Sequence, residues 1–153
     1  RRFGEHAYAH ALICTSDGKL LAARMGEHTA NPGRVYFASG SFDDQDVRDG
    51  RIDVAGNMAR EVREETGLDL GAMRAEAAYH IYSIESGTVI IRRYLADRTA
   101  AELCERVAAH VRSDPDPEID AAVVISPGDG HNPAYPDHMQ AIVDWHFATK
   151  AGP

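Results

Sequence analysis

The segment Arg60-Glu61-Val62-Arg63-Glu64-Glu65-Thr66-Gly67-Leu68 constrains this chain more than any other. Glu61, Glu64 and Glu65 are spaced i, i+3, i+4, so on a helix they fall within an arc of roughly 100°. Val54, Met58 and Val62 recur at helical spacing and supply an apolar stripe. Asp53 is placed to cap the start of the helix, and Gly67 stands where a left-handed residue closes it. A short helix over 54–66 therefore has to present three carboxylates together. Three like charges that close repel one another. A divalent cation reverses the sign, because Mg²⁺ and Mn²⁺ require clustered hard oxygen ligands. The alternative is a solvated acidic face with Arg60 and Arg63 as neighbours.

The 153 residues, 44% of them hydrophobic, suit one globular domain spanning 1–153. A domain of this size buries about 68–70% of its unfolded surface and needs no disulfide or metal staple. Cys14 and Cys104 lack metal-ligand spacing and read as small buried apolar residues, which favours a reduced, cytoplasmic setting. No apolar run approaches the roughly 20 residues of a membrane span, and no signal peptide is visible. The formal net charge of −8 argues against a nucleic-acid partner, since phosphate binding needs clustered Lys and Arg. It suits a site that recruits cations to bridge a phosphate-bearing small molecule.

Along the chain, apolar runs at 6–15 and 19–25 flank Ser16-Asp17-Gly18 and read as a hairpin. Asn31-Pro32-Gly33 is a second turn, and Arg34-Val35-Tyr36-Phe37 a short strand leading into Ala38-Ser39-Gly40-Ser41. Residues 42–53 are polar and acidic and read as a loop. Two β-type runs, 75–85 and 88–96, surround Ser86-Gly87. Thr99 caps an amphipathic helix over 99–112 with Leu103, Val107 and Val111 on one side. Residues 119–125 form a strand, and a last helix begins at Tyr135 or Asp137 and runs to 150. The order predicts an α/β (α+β) domain with a mixed, partly antiparallel sheet and helices on its faces. There is no G-x-G-x-x-G after the first strand and no P-loop.

Gly40 and the Arg60–Leu68 segment together resemble the Nudix box: Gly, five residues, Glu, seven residues, then Arg-Glu-apolar-x-Glu-Glu-x-Gly-apolar. The second half matches at every specified position, Gly67 included. The element order is similar to the Nudix α/β/α sandwich. The first half departs from the pattern. Counting back from Arg60, the Glu position holds Ile52 and the Gly position Asp46, so Gly40 is the better box glycine and the loop is six residues longer. Asp43, Asp44, Asp46 and Asp49 are candidates to replace the missing Glu, which in the family supports the box arginine.

The resemblance implies a pyrophosphohydrolase that cleaves a nucleoside diphosphate linked to another group: a nucleoside triphosphate, a nucleotide sugar or a dinucleotide. It implies Glu61, Glu64 and Glu65 as ligands of Mg²⁺ or Mn²⁺, with Glu64 and Arg60 as catalytic residues. Arg60 lies one turn before Glu64, within reach of its carboxylate. The family often adds a carboxylate from outside the box; Glu118 is the candidate here and Asp120 the runner-up. Tyr36, Arg24 and Arg92 are candidate substrate contacts. The implied partner is a small-molecule diphosphate, with no nucleic acid and no membrane, and the family's frequent dimers make a homodimer an expectation. A Nudix-fold domain that binds such a metabolite without cleaving it is the alternative. His10 and His80 read as satisfied sheet histidines, His131 and His138 as flanking a connector, and Trp145 as core.

Overall fold

The computed structural model describes residues 6–149. Its strands are β1 (His6–Cys14), β2 (Leu20–Met25), β3 (Val35–Tyr36), β4 (Ser39–Ser41), β5 (Val47–Arg48), β6 (Arg51–Ile52), β7 (Arg74–Ala75), β8 (His80–Ile84), β9 (Gly87–Leu95) and β10 (Ile119–Ile125). Three helices alternate with them: α1 (Val54–Thr66) after β6, α2 (Ala100–Ser113) after β9, and α3 (Asp137–Ala148) at the end.

The main sheet runs β10-β2-β1-β9, with β7 and β8 both on the far side of β9. Among the described residues only β1 and β9 run parallel, from His6↔Gly87 to Cys14↔Leu95; the other pairings are antiparallel. The β1–β2 hairpin pairs at Ile13↔Leu21 and Cys14↔Leu20 and then splays. The chain from Val35 to Ser41 fills that fork. In it β3 pairs with Ala23 and Arg24 of β2, and β4 pairs with Tyr8, Ala9 and His10 of β1. The single strand expected from Arg34 is thus two short strands serving opposite sides of the fork. The run expected over 75–85 is likewise broken, because β7 and β8 pair with separate stretches of β9.

Period-2 alternation sends successive strand residues to opposite faces. Ala9, Ala11, Ile13, Leu21 and Ala23 pack under Met58 and Val62 of α1 and Leu103 and Val107 of α2. Leu12, Leu20, Ala22, Val89 and Ile91 pack under Met139, Ile142 and Val143 of α3. The result is an α/β/α sandwich with two helices on one face and one on the other. The free Cys14 and Cys104 are half-buried and unlinked. Among the described residues no helix is long and apolar enough to cross a membrane.

The stretch 42–53 is more ordered than a plain loop. A 3-10 turn at Asp44–Asp46 leads into a hairpin in which Val47 pairs with Ile52 and Arg48 with Arg51. Asp49 and Gly50 form its tip, both in the left-handed region, as a tight two-residue turn demands.

Candidate active site

Helix α1 is fixed at both ends by local chemistry. The Asp53 carboxylate accepts from the Gly56 N–H at 3.0 Å, and Gly67 adopts φ 75° and donates its N–H to the Arg63 carbonyl. Met58 and Val62 are fully buried, which leaves Glu61 and Glu65 half-buried towards the fork in the sheet and Glu64 exposed. There β4 passes so close that a Cβ on Gly40 would collide with the Glu61 carboxylate. The absent side chain at Gly40 makes room for Glu61.

Of the four candidate aspartates, Asp46 is the one that meets Arg60. Its carboxylate accepts from Arg60 Nη1 at 2.7 Å and from Asn57 Nδ2 at 3.1 Å. It also accepts from the Asp43 N–H at 2.8 Å, closing a capping box around the 3-10 turn. Burial works to raise its pKa, but the hydrogen bonds from Arg60, Asp43 and Asn57 outweigh that and hold the carboxyl below its usual range. Arg60 in turn reaches Glu61 Oε1 at 3.4 Å through Nη2. The chain Asp46–Arg60–Glu61 thus orients one of the three helix carboxylates.

Those carboxylates strain against one another electrostatically. Burial pushes Glu65 up to about 8, and repulsion from Glu118, Glu61 and Glu64 adds to it, against a backbone hydrogen bond from Ser39. Glu61 is raised by burial, by Glu64 and by Glu118, with Arg60 opposing. Glu118, at the entrance to β10, therefore belongs electrostatically to the same cluster. Its own carbonyl is anchored by the Gly26 N–H at 2.9 Å. The side chains do not close into a cage. Among the described residues no set of three or more His, Cys, Asp or Glu is arranged to hold an ion as it stands.

The other sequence candidates are distributed more widely. Asp120 is engaged by Arg24 Nε at 2.7 Å, so these two form an ion pair on the partly exposed β2–β10 surface. Arg92 donates to the Glu76 carbonyl and the Tyr79 hydroxyl and lies over the Tyr79 ring at 4.7 Å. Tyr36 borders a cavity of about 360 Å³ on the α3 side of the fork.

That cavity contains residues that the sequence reading set aside. His10 is 5% exposed, yet its Nδ1 has no hydrogen-bond partner, contrary to the satisfied sheet histidine expected. The His138 ring stands 5.7 Å from it, centroid to centroid. Their pairing was not legible in sequence, because 127 residues separate them and α3 only meets β1 through the folded sheet. His80 does match expectation, bonded to Glu76 at 2.8 Å. Trp145 packs against the Arg93 guanidinium at 4.5 Å as well as against the core.

This architecture is the Nudix fold. Solved structures that share it include the Ap4A hydrolase of C. elegans, determined as a binary complex, with a TM-score of 0.63 and 13% identity over 92% of this chain and 96% of that one. A Nudix hydrolase from Nitrosomonas europaea aligns with a TM-score of 0.52 and 19% identity over 98% and 93%. The Nudix domain of Shewanella oneidensis NrtR, complexed with ADP ribose, aligns at 0.55 and 13% over 96% and 90%. No family model and no curated protein matches the sequence.

Proposed function

We propose that this protein is a metal-dependent pyrophosphohydrolase of the Nudix kind, cleaving a nucleoside diphosphate joined to a further moiety. The observation that carries the reading is the gathering of Glu61 and Glu65 of the box helix against β4, at Gly40 and Ser39, with Glu64 and Glu118 as charged neighbours. Burial pushes Glu65 up to about 8 and the neighbouring carboxylates add to it, so the cluster is short of positive charge. The donors are hard oxygens only, which suits Mg²⁺ or Mn²⁺. Glu61, Glu64 and Glu65 would hold the ion, with Glu118 as the additional carboxylate. When bound, the ion supplies neutralisation of the diphosphate and a lowered pKa for the attacking water.

The remaining work falls to the protein. Asp46 holds Arg60, and Arg60 holds Glu61, so one of the helix carboxylates is aligned before substrate arrives. Water adds to one phosphorus, the bridging P–O bond breaks, and the leaving phosphate keeps the electron pair. The water's proton passes to a carboxylate, for which Glu64 and Glu118 are the candidates.

The test is turnover of a panel of nucleoside triphosphates, nucleotide sugars and dinucleotides with Mg²⁺, beside Glu64→Gln and Glu65→Gln. Hydrolysis by wild type that drops at least a hundredfold in both variants supports the reading. Turnover no greater than that of the variants on every compound sinks it. Retained micromolar binding would then favour a domain that senses such a metabolite, the role allowed by the altered first half of the box.

A further inference from the structure

We infer that His110 is a positioning residue of the proposed site: from α2 it holds the turn of α1 that carries Glu64 and Glu65, and it ties that turn to the segment that brings Glu118. The inference rests on the hydrolase reading for what those carboxylates do, and on the hydrogen bonds at the helix end for the rest.

The last carbonyls of a helix have no partner within it and need donors from elsewhere. In α1 the Arg63 carbonyl is served by the Gly67 N–H at 2.9 Å. The Leu68 N–H, four residues after Glu64, is the donor that a continuing helix would give the Glu64 carbonyl. It goes instead to the Thr66 hydroxyl at 3.2 Å. The Glu64 carbonyl is left to α2, where His110 Nε2 stands 3.0 Å from it. A carbonyl oxygen only accepts, so the contact requires the proton on Nε2.

Gly67 makes this approach possible. A Cβ there would lie 2.7 Å from His110 Cγ and 2.8 Å from His110 Cβ and Nδ1. The imidazole occupies the space that a side chain at 67 would take. Gly67 therefore answers two demands at once: a φ of 75° and room for a ring from another helix. The first is local. The second exists only because α2 meets α1 in one core, Leu103 and Val107 with Met58 and Val62.

His110 is itself held. Its carbonyl accepts from the Asp114 N–H at 3.0 Å and from the Ser113 hydroxyl at 2.9 Å, and the residue is half-buried. From there the chain reaches Glu118 in eight residues. Pro115 and Pro117 each fix φ, and the Asp114 carboxylate accepts from the Asp116 N–H at 3.0 Å to close the turn. A short, stiffened link thus joins His110 to the carboxylate whose charge bears on Glu61 and Glu65. With His110 bonded to Glu64, the acids on α1 and the acid before β10 have a fixed separation. Ion binding depends on that separation, since oxygen ligands must converge to about 2.0–2.1 Å from Mg²⁺.

His110→Phe keeps a ring beside Gly67 and removes the donor, while His110→Gln restores an N–H at comparable reach. The readouts are amide hydrogen exchange at Gly67 and Leu68 in metal-free protein, Mg²⁺ affinity by titration calorimetry, and turnover of the diphosphate panel. In His110→Phe, exchange at both amides should quicken. The Mg²⁺ Kd should rise about tenfold, the lower end for loss of a supporting partner, and kcat should fall by a similar factor. His110→Gln should recover most of each change. A merely structural contact would lower Tm without moving the Mg²⁺ Kd of the folded protein. Unchanged Kd and kcat in folded His110→Phe overturn the inference and leave the hydrolase reading standing. If wild type binds Mg²⁺ without turnover, a weakened Kd in His110→Phe upholds the positioning role while the hydrolase reading falls. Wild type that neither binds Mg²⁺ nor turns over any compound removes both. His110→Ala carries the comparison should His110→Phe fail to fold.

Discussion

Asp46 Oδ1 accepts from Arg60 Nη1 at 2.7 Å, and it does so from the position at which the motif's spacing would have put a glycine. The longer loop moves the glycine back to Gly40 and folds a 3-10 turn that delivers an aspartate to the box arginine. The support expected from a glutamate at position 52 comes instead from Asp46, while Ile52 is half-exposed on a hairpin.

Removing Asp46 should therefore reach the reaction through Arg60. In Asp46→Ala the Arg60 guanidinium, the Asn57 amide and the Asp43 N–H all lose an acceptor. Loss of charge-assisted hydrogen bonds at a buried site destabilises by about 1–3 kcal/mol. Loss of a supporting partner lowers metal affinity or turnover by about 10–100-fold. Urea denaturation and Mg²⁺-dependence of the rate measure the two. A variant with unchanged Mg²⁺-dependence would separate Asp46 from the site.

Gly40→Ala should disable the site while leaving the fold intact. The new Cβ meets the Glu61 carboxylate, and that carboxylate sits at the end of a flexible side chain that can swing aside. The expected result is native-like circular dichroism with turnover reduced by about tenfold or more, since a misplacement of about 1 Å can cost 10²-fold. Wild-type turnover in this variant would show that the close approach has no bearing on Glu61's role.

Metal-free protein should lose stability as the pH rises from 7 to 8. Glu65 keeps its proton in the folded state up to about 8, against an ordinary value of 4.5, so the folded chain binds more protons than the unfolded one across that interval. Stability then falls with rising pH. Below 6.5 the buried His10 and the half-buried His146, both neutral, act oppositely, because the unfolded chain takes up the protons that they refuse. Thermal melting in chelator should show Tm declining between pH 7 and 8, a flatter line for Glu65→Gln, and a larger Mg²⁺-induced rise at pH 8 than at pH 7. A Tm that climbs over this interval would contradict the carboxylate cluster.

Glu76 and Arg93 supply the test of stability away from the site. Both are 2% exposed. Glu76 Oε2 accepts from the Arg93 N–H at 2.7 Å and from its Nε at 3.1 Å, while Oε1 meets His80. Burial raises the Glu76 pKa, but the bonds from Arg93 and His80 prevail and lower it. Removing one member of a buried pair costs about 3–5 kcal/mol, whereas replacing both with apolar residues of similar volume is often near neutral. Glu76→Leu alone should lower the urea midpoint sharply, and Glu76→Leu with Arg93→Met should recover most of it. Equal losses in both variants would show that Arg93's other contacts, with Trp145 and Thr149, dominate.

What the sequence determined by itself is local. Asp53, the Val54/Met58/Val62 stripe and Gly67 act within a few residues, so helix α1, its cap and its left-handed end were all readable. The same holds for Thr99 capping α2 and for the β1–β2 hairpin. The acidic face was visible because helical periodicity alone aligns Glu61, Glu64 and Glu65. Which aspartate meets Arg60 was not, since four candidates share one polar stretch and only the packing of the 3-10 turn against α1 chooses among them. The fork between β1 and β2 was equally hidden, because strand pairing is a relation between distant segments. That fork places Gly40 against Glu61, Ser39 beside Glu65, and His10 opposite His138 across 127 residues of chain. Local propensity chose the helix and its carboxylates; the tertiary fold decided what stands around them.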